Sequence, residues 1–464
     1  MKPISLVRFN ALAGYARLPR AVMHAEELRW FELTGGQVVG AVIRDREDGD
    51  YGGVAFAQDQ KHRFRAVDVT EFEPSQRRAE VALRRAMERA SMAPDEAHHQ
   101  GDEQGPPVDF FTYTRESDAL HPDFRQLADS EAYSPAKCII EPMMRWYEDA
   151  DGNFVEQFQT AGFDQRIWEL YLFAAFTEMG YLLDRTEAVP DFSCSGLIGE
   201  FTAEAVTVGP TRVRGEIIPP PPVGTAEERR EFLCNYMPIK FGSALYTKLR
   251  KRYWDRPNVQ GKPFVLAIED FSSPGSMIQS APALHLYLYG YDHDAKQDRD
   301  GNLTITPRKV DFHQWGDKVI PSGFFDLPGA ENVSAVIFSN SGTIAKFNRM
   351  GILGGFGSDR VLAIREGACV DHDPNAMAPK PFRHVVNAAD YSESWGEGLS
   401  VFHNPRALIP LPQHFIEGAA HHFLQDGGQI HTQTPEWHPH WSVTQHLFPV
   451  DVEEIMREMA IEAD

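Results

Sequence analysis

The stretch VPDFSCSGLIGEFTAEAVTVG, residues 189–209, constrains the fold more than any other. Apart from its acids it is apolar, small or β-branched, which suits paired strands. Gly196 and Gly199 bracket a plausible four-residue turn. A turn centred between Leu197 and Ile198 pairs Ser195 with Glu200 and sets Asp191 opposite Glu204. Directly opposed residues hold their Cβ atoms about 4.5–5.5 Å apart, and like charges there destabilise a sheet. A divalent cation between them would reverse that penalty. The hairpin therefore raises the expectation of a metal site.

The segment before it, DQRIWELYLFAAFTEMGY, predicts the longest apolar-periodic helix, with Asp164 as cap and Gly180 as stop. Glu169 has Gln165, Arg166, Leu172 and Phe173 as its neighbours at three and four residues, so it lies near the apolar face. A carboxylate there needs a partner, a raised pKa or a metal. Read alone, Glu169 is more readily a helix acid paired with Arg166 than a ligand. Together, Glu169, Asp191 and Glu204 form a candidate oxygen-rich site, and hard oxygen ligands favour Mg2+ or Mn2+.

A helix with Glu, then Pro-Asp, then twelve residues, then Glu in an apolar strand resembles the PD-(D/E)XK nuclease superfamily. The resemblance covers Asp164 to Phe271, about a quarter of the chain. It implies an α/β fold with a restriction-endonuclease-like core, a mixed sheet flanked by helices. It implies that Asp191 and Glu204 ligate the metal, with the carbonyl of Ala205 as a further oxygen and Glu169 as an auxiliary acid. The superfamily places a lysine two residues after the second acid, where this chain has Val206. The resemblance then moves the cation to a neighbouring helix, where PIKFGSALYTKLRKRYW offers Lys248 first and Lys240 second. The same segment carries Arg250, Lys251 and Arg252, a positive stripe for a nucleic-acid backbone, with Arg252 and Tyr253 as candidate phosphate contacts. The expected activity is metal-dependent hydrolysis of phosphodiester bonds in DNA or RNA. The alternative is a catalytically inactive nuclease-like binding or scaffold protein, with Val206 marking a lost site. Over much of its length the chain is also similar to bacterial proteins that share phrases such as KPFVLAIEDF and SNSGTIAKFNRMG.

Around this core the 464 residues are enough for two or three domains. Residues 1–92 read as a small β-rich domain ending in a helix, and 93–108, rich in Pro, Gly, Asp and Glu, as a linker. Residues 109–290 hold the nuclease-like core, and 291–464 an α/β extension. A net charge of −22 argues against diffuse nucleic-acid binding but leaves room for a local basic groove. It is compatible with a basic protein partner or a homo-oligomer. No apolar run reaches about 18 residues, so no membrane span is expected. Cys138, Cys194, Cys234 and Cys369 are scattered, as in a protein of the reducing cytoplasm, and make no zinc ribbon. His421, His422, His431, His438 and His440 match no closed zinc spacing, so HHFLQDGGQIHTQTPEWHPHW reads as a surface segment. A histidine-based metal hydrolase is the third option. GILGGFGS lacks the setting of a phosphate loop and reads as a flexible loop.

Overall fold

The computed structural model describes residues 1–147, 152–184, 187 and 189–463. Its N-terminal strands run in chain order as an antiparallel sheet: β1 (Lys2–Ile4), β2 (Ala25–Glu32), β3 (Val38–Asp45), β4 (Tyr51–Gln58) and β5 (Phe64–Val69). Period-two alternation sends Val38 and Val42 to one face and Val39 and Ala41 to the other. The first face is closed by α1 (Gln76–Met92) through Leu83 and Met87. That approach depends on Gly40 and Gly53, where an added Cβ would stand 2.9 and 2.8 Å from Leu83. The second face joins the main core of the molecule through Val39, Ala41, Phe56 and Phe64.

The main sheet has eight strands. In chain order, helix α2 (Phe163–Glu178) leads into β6 (Leu182–Asp184), β7 (Phe192–Gly196) and β8 (Gly199–Val208). Helix α3 (Met237–Leu249) connects to β9 (Phe264–Asp270), and α4 (Ala281–Tyr289) precedes β10 (Ala335–Phe338). Helix α5 (Ile344–Leu353) follows, then β11 (Ser400–His403), β12 (Ala420–Leu424) and β13 (Ile430–Gln433). The spatial order equals the chain order, from β6 at one edge to β13 at the other. β7 runs antiparallel to both its neighbours, β6 and β8, whereas β8, β9 and β10 are parallel.

All seven residues of β9 are buried, as expected for an interior strand covered on both faces. Ala203, Ala205, Val265 and Ala267 face α2, while Val206, Val208, Leu266 and Ile268 face α3 and α4. Trp168 of α2 is fully buried, and its indole N–H donates to the Ala267 carbonyl at 3.0 Å. Helix α2 starts at Phe163 with Gly162 as its cap, so Asp164 sits in the first turn instead of capping it. Gly180, with φ 87°, follows the helix end as expected.

Several C-terminal readings are corrected. Strands β10 to β13, within 335–433, extend the same sheet as β6 to β9. The histidine-rich stretch supplies β12 and β13, and His421 and His438 are buried at 3 % exposure. His421 is satisfied by His403 at 2.9 Å and the Ile416 carbonyl at 3.0 Å. The glycines of GILGGFGS are no loose loop: the first residues end α5, and a Cβ on Gly351 or Gly357 would stand 2.2 or 2.3 Å from backbone atoms of Pro135. Among the described residues no helix is long and apolar enough to cross a membrane.

Candidate acid and lysine site

The hairpin register pairs Ser195 with Glu200 and Phe192 with Ala203. Asp191 therefore stands one residue before β7, opposite Glu204 of β8. The two are tied through the backbone: the Ala205 N–H donates to Asp191 Oδ2 at 2.8 Å, and the Asp191 N–H donates to Glu204 Oε2 at 3.3 Å.

Glu204 is 4 % exposed and turns toward α3. Lys248 Nζ, from the last turn of that helix, lies 2.5 Å from Glu204 Oε1. The Tyr253 hydroxyl donates to the same oxygen at 2.7 Å. Val206, two residues on, shares this face and is buried in the apolar cluster, so a cation must come from another element. Lys240, two helical turns before Lys248, is directed elsewhere. Its ammonium donates to the Gly209 carbonyl at 2.7 Å and to Thr211 Oγ1 at 3.1 Å.

On the opposite face α2 contributes Glu169 and Gln165. Glu169 accepts from Arg166 at 2.8 Å, from Gln165 at 2.9 Å, and from the Tyr147 hydroxyl. Gln165 also donates to the Ala205 carbonyl at 3.5 Å and accepts from Thr207 Oγ1 at 2.9 Å. Gln165 thus connects Glu169 to the strand that carries Glu204. Neither Gln165 nor Tyr147 was singled out by sequence reasoning. Gln165 is four residues before Glu169 on one helical face, a signal that was available; Tyr147 carries none.

Asp191 is near enough to both Glu169 and Glu204 to be repelled by each. Burial, followed by repulsion from Glu169 and then Glu204, holds its carboxyl well above the ordinary carboxylate range. Lys248 and the Ala205 N–H oppose that shift without cancelling it. The donor set of Asp191, Glu204 and the Ala205 carbonyl is all oxygen, and the ionised form of Asp191 is stabilised by added positive charge. That chemistry fits a hard divalent cation. The carboxylates of Glu169, Asp191 and Glu204 are not drawn to mutual ligating distance. Among the described residues, groups with three ligating atoms within 4.8 Å of one another are His121, Asp123 and Asp164, and Asp59, Asp102 and Glu103. The separation has a plain cause: Lys248 and Tyr253 hold Glu204 on one face of the sheet, and Arg166 holds Glu169 on the other.

The basic stripe resolves into distinct roles. Arg250 and Lys251 are exposed. Arg252 is exposed but bonded to Asp255 at 2.7 Å. Tyr253, expected as a phosphate contact, is corrected: it is 3 % exposed and its hydroxyl is committed to Glu204. No family model, curated protein or solved structure matches the chain.

Proposed function

We propose that the chain is a magnesium- or manganese-dependent phosphodiesterase acting on nucleic acid, with a restriction-endonuclease-like core. The observation that carries the reading is the convergence of Asp191, Glu204 and Lys248, with the lysine supplied by α3 in place of the strand position held by Val206. The order helix, three antiparallel strands, helix, parallel strand, from α2 through β9, supports the same core.

Asp191, Glu204 and the Ala205 carbonyl would hold the ion. When bound, it supplies a Lewis acid and lowers the pKa of a coordinated water. Lys248 places a positive charge where negative charge grows on the phosphoryl oxygens. Tyr253 fixes the Glu204 carboxylate, and Gln165 orients the Ala205 carbonyl. Arg250 and Lys251 extend the positive surface beyond the site.

The test is cleavage of plasmid, linear duplex, single-stranded DNA and RNA with Mg2+ or Mn2+. Wild type is compared with Asp191→Ala, Glu204→Ala and Lys248→Ala. Loss of cleavage in all three supports the reading. Cleavage that survives both acid changes overturns it. A second reading, an inactive binding or scaffold module, is favoured by one feature: both Glu204 oxygens already have protein partners. It predicts no cleavage on any substrate and no metal binding.

A further inference from the structure

Beside the acid site runs a groove of about 680 Å3. Its floor begins at Thr207 and Val208, the residues of β8 that follow Glu204 and Val206. One wall is α3, with Lys240 and Ser243. The other is formed by the ribbon at 211–218, the prolines after it, and the hairpin of Phe312–Trp315 with Lys318–Pro321. Trp315 lines the groove and meets Tyr236 edge-on, with ring centroids 5.3 Å apart. Lys318 Nζ is 2.6 Å from Ser243 Oγ and is exposed. Lys240 has two of its three ammonium protons committed, to Gly209 and Thr211.

Two lysines and two aromatic rings thus line one groove of a chain whose net charge is −22. Proteins that hold single strands combine these features: cations that track phosphates and rings on which bases stack. Lys240 and Lys248 are eight residues apart on one helix, which is about 12 Å and roughly two nucleotide steps of extended strand. A duplex keeps its bases stacked on one another and presents no free face to Trp315.

We propose that this groove seats one or two unpaired nucleotides of the substrate next to the bond cut at the acid site, with Trp315 as the stacking platform and Lys240 and Lys318 on the phosphates. The inference rests on the nuclease reading and names its substrate class as single-stranded nucleic acid or a single-stranded extension.

The experiment measures binding of fluorescein-labelled dT12 and of a 12-base-pair duplex to the full chain in EDTA, so that no cleavage intervenes. The expected result is tighter binding of dT12 than of duplex, and a loss of about 10-fold or more in Trp315→Ala. Trp315→Phe retains a ring, and its binding returns toward wild type. Lys318→Ala, at an exposed position, weakens dT12 binding and lowers the salt slope by about 0.7. If no substrate is cut but dT12 binding still depends on Trp315, the nuclease reading fails and the groove stands as a single-strand site. If cleavage depends on Asp191 while Trp315→Ala and Lys318→Ala bind dT12 as wild type does, the nuclease reading stands and the groove assignment is wrong. Preference for duplex, or binding of a proline-rich peptide with no affinity for dT12, also overturns it.

Discussion

Lys248 Nζ stands 2.5 Å from Glu204 Oε1, an ion pair between the last turn of α3 and the middle of β8. Glu204 is nearly fully buried while Lys248 keeps 22 % of its side-chain surface exposed. The lysine therefore neutralises a buried acid and still reaches the solvent side. On the nuclease reading, Lys248→Ala lowers the cleavage rate by about 10²–10³-fold, as loss of a single preorganised electrostatic donor does. Lys248→Arg restores part of that rate. Single-turnover cleavage measures both, and a Lys248→Ala rate within threefold of wild type would remove the lysine from the chemistry.

Tyr253→Phe deletes one donor to a buried carboxylate without changing shape. The expected cost is about 1.5–3 kcal/mol of stability, the range for a hydrogen bond to a charged group. Urea unfolding in EDTA checks it. A change near zero would mean that Glu204 finds another donor.

Asp191 has a definite pH signature. Its folded carboxyl binds a proton more tightly than the unfolded one, through burial, Glu169 and Glu204. The stability this contributes is complete below the unfolded value of about 3.9 and is lost as pH rises through the higher folded value. Above that folded value the ionised group opposes folding. Asp191→Asn removes that penalty and keeps an oxygen for the Ala205 N–H. Urea titrations from pH 4 to 8 in EDTA are expected to show the variant gaining on wild type as pH rises. Parallel curves would contradict the assignment.

The hairpin register has its own test. Gly199 has φ 145°, and a Cβ there would stand 2.0 Å from Phe415 Cζ. Gly199→Ala is expected to cost about 1–3 kcal/mol by overpacking, with backbone strain in addition. Thermal unfolding reads the loss. An unchanged melting point would mean that the turn is placed differently.

The parts of this molecule legible in the sequence are those that depend on neighbours along the chain. The register setting Asp191 opposite Glu204 follows from period two and a glycine-bounded turn. The pairing of Arg166 with Glu169 follows from helical spacing, and β9 from its apolar run. What was not legible depends on distant partners. Tyr253 reads as a surface residue beside Lys251 and Arg252, yet the chain turns through Arg252, at φ 51°, and carries the tyrosine inward to Glu204. His421 reads as polar surface because its partners, His403 and the Ile416 carbonyl, come together only in the sheet. Gly351 and Gly357 read as looseness, whereas their lack of a side chain lets α5 close onto Pro135. Glu269 is a further case: fully buried, its carboxyl held far above the ordinary range by burial, it accepts the Gly342 N–H at 2.8 Å from a loop more than seventy residues away.

The central claim is that Asp191 and Glu204 hold a divalent cation beside Lys248. Binding of Mn2+ to the full chain, followed by electron paramagnetic resonance of the free ion, tests it most directly. The account predicts saturable binding at pH 7.5 that is competed by Mg2+ and lost in Asp191→Ala, with the variant still folded by circular dichroism. Binding absent in wild type, or unchanged in both Asp191→Ala and Glu204→Ala, would contradict it.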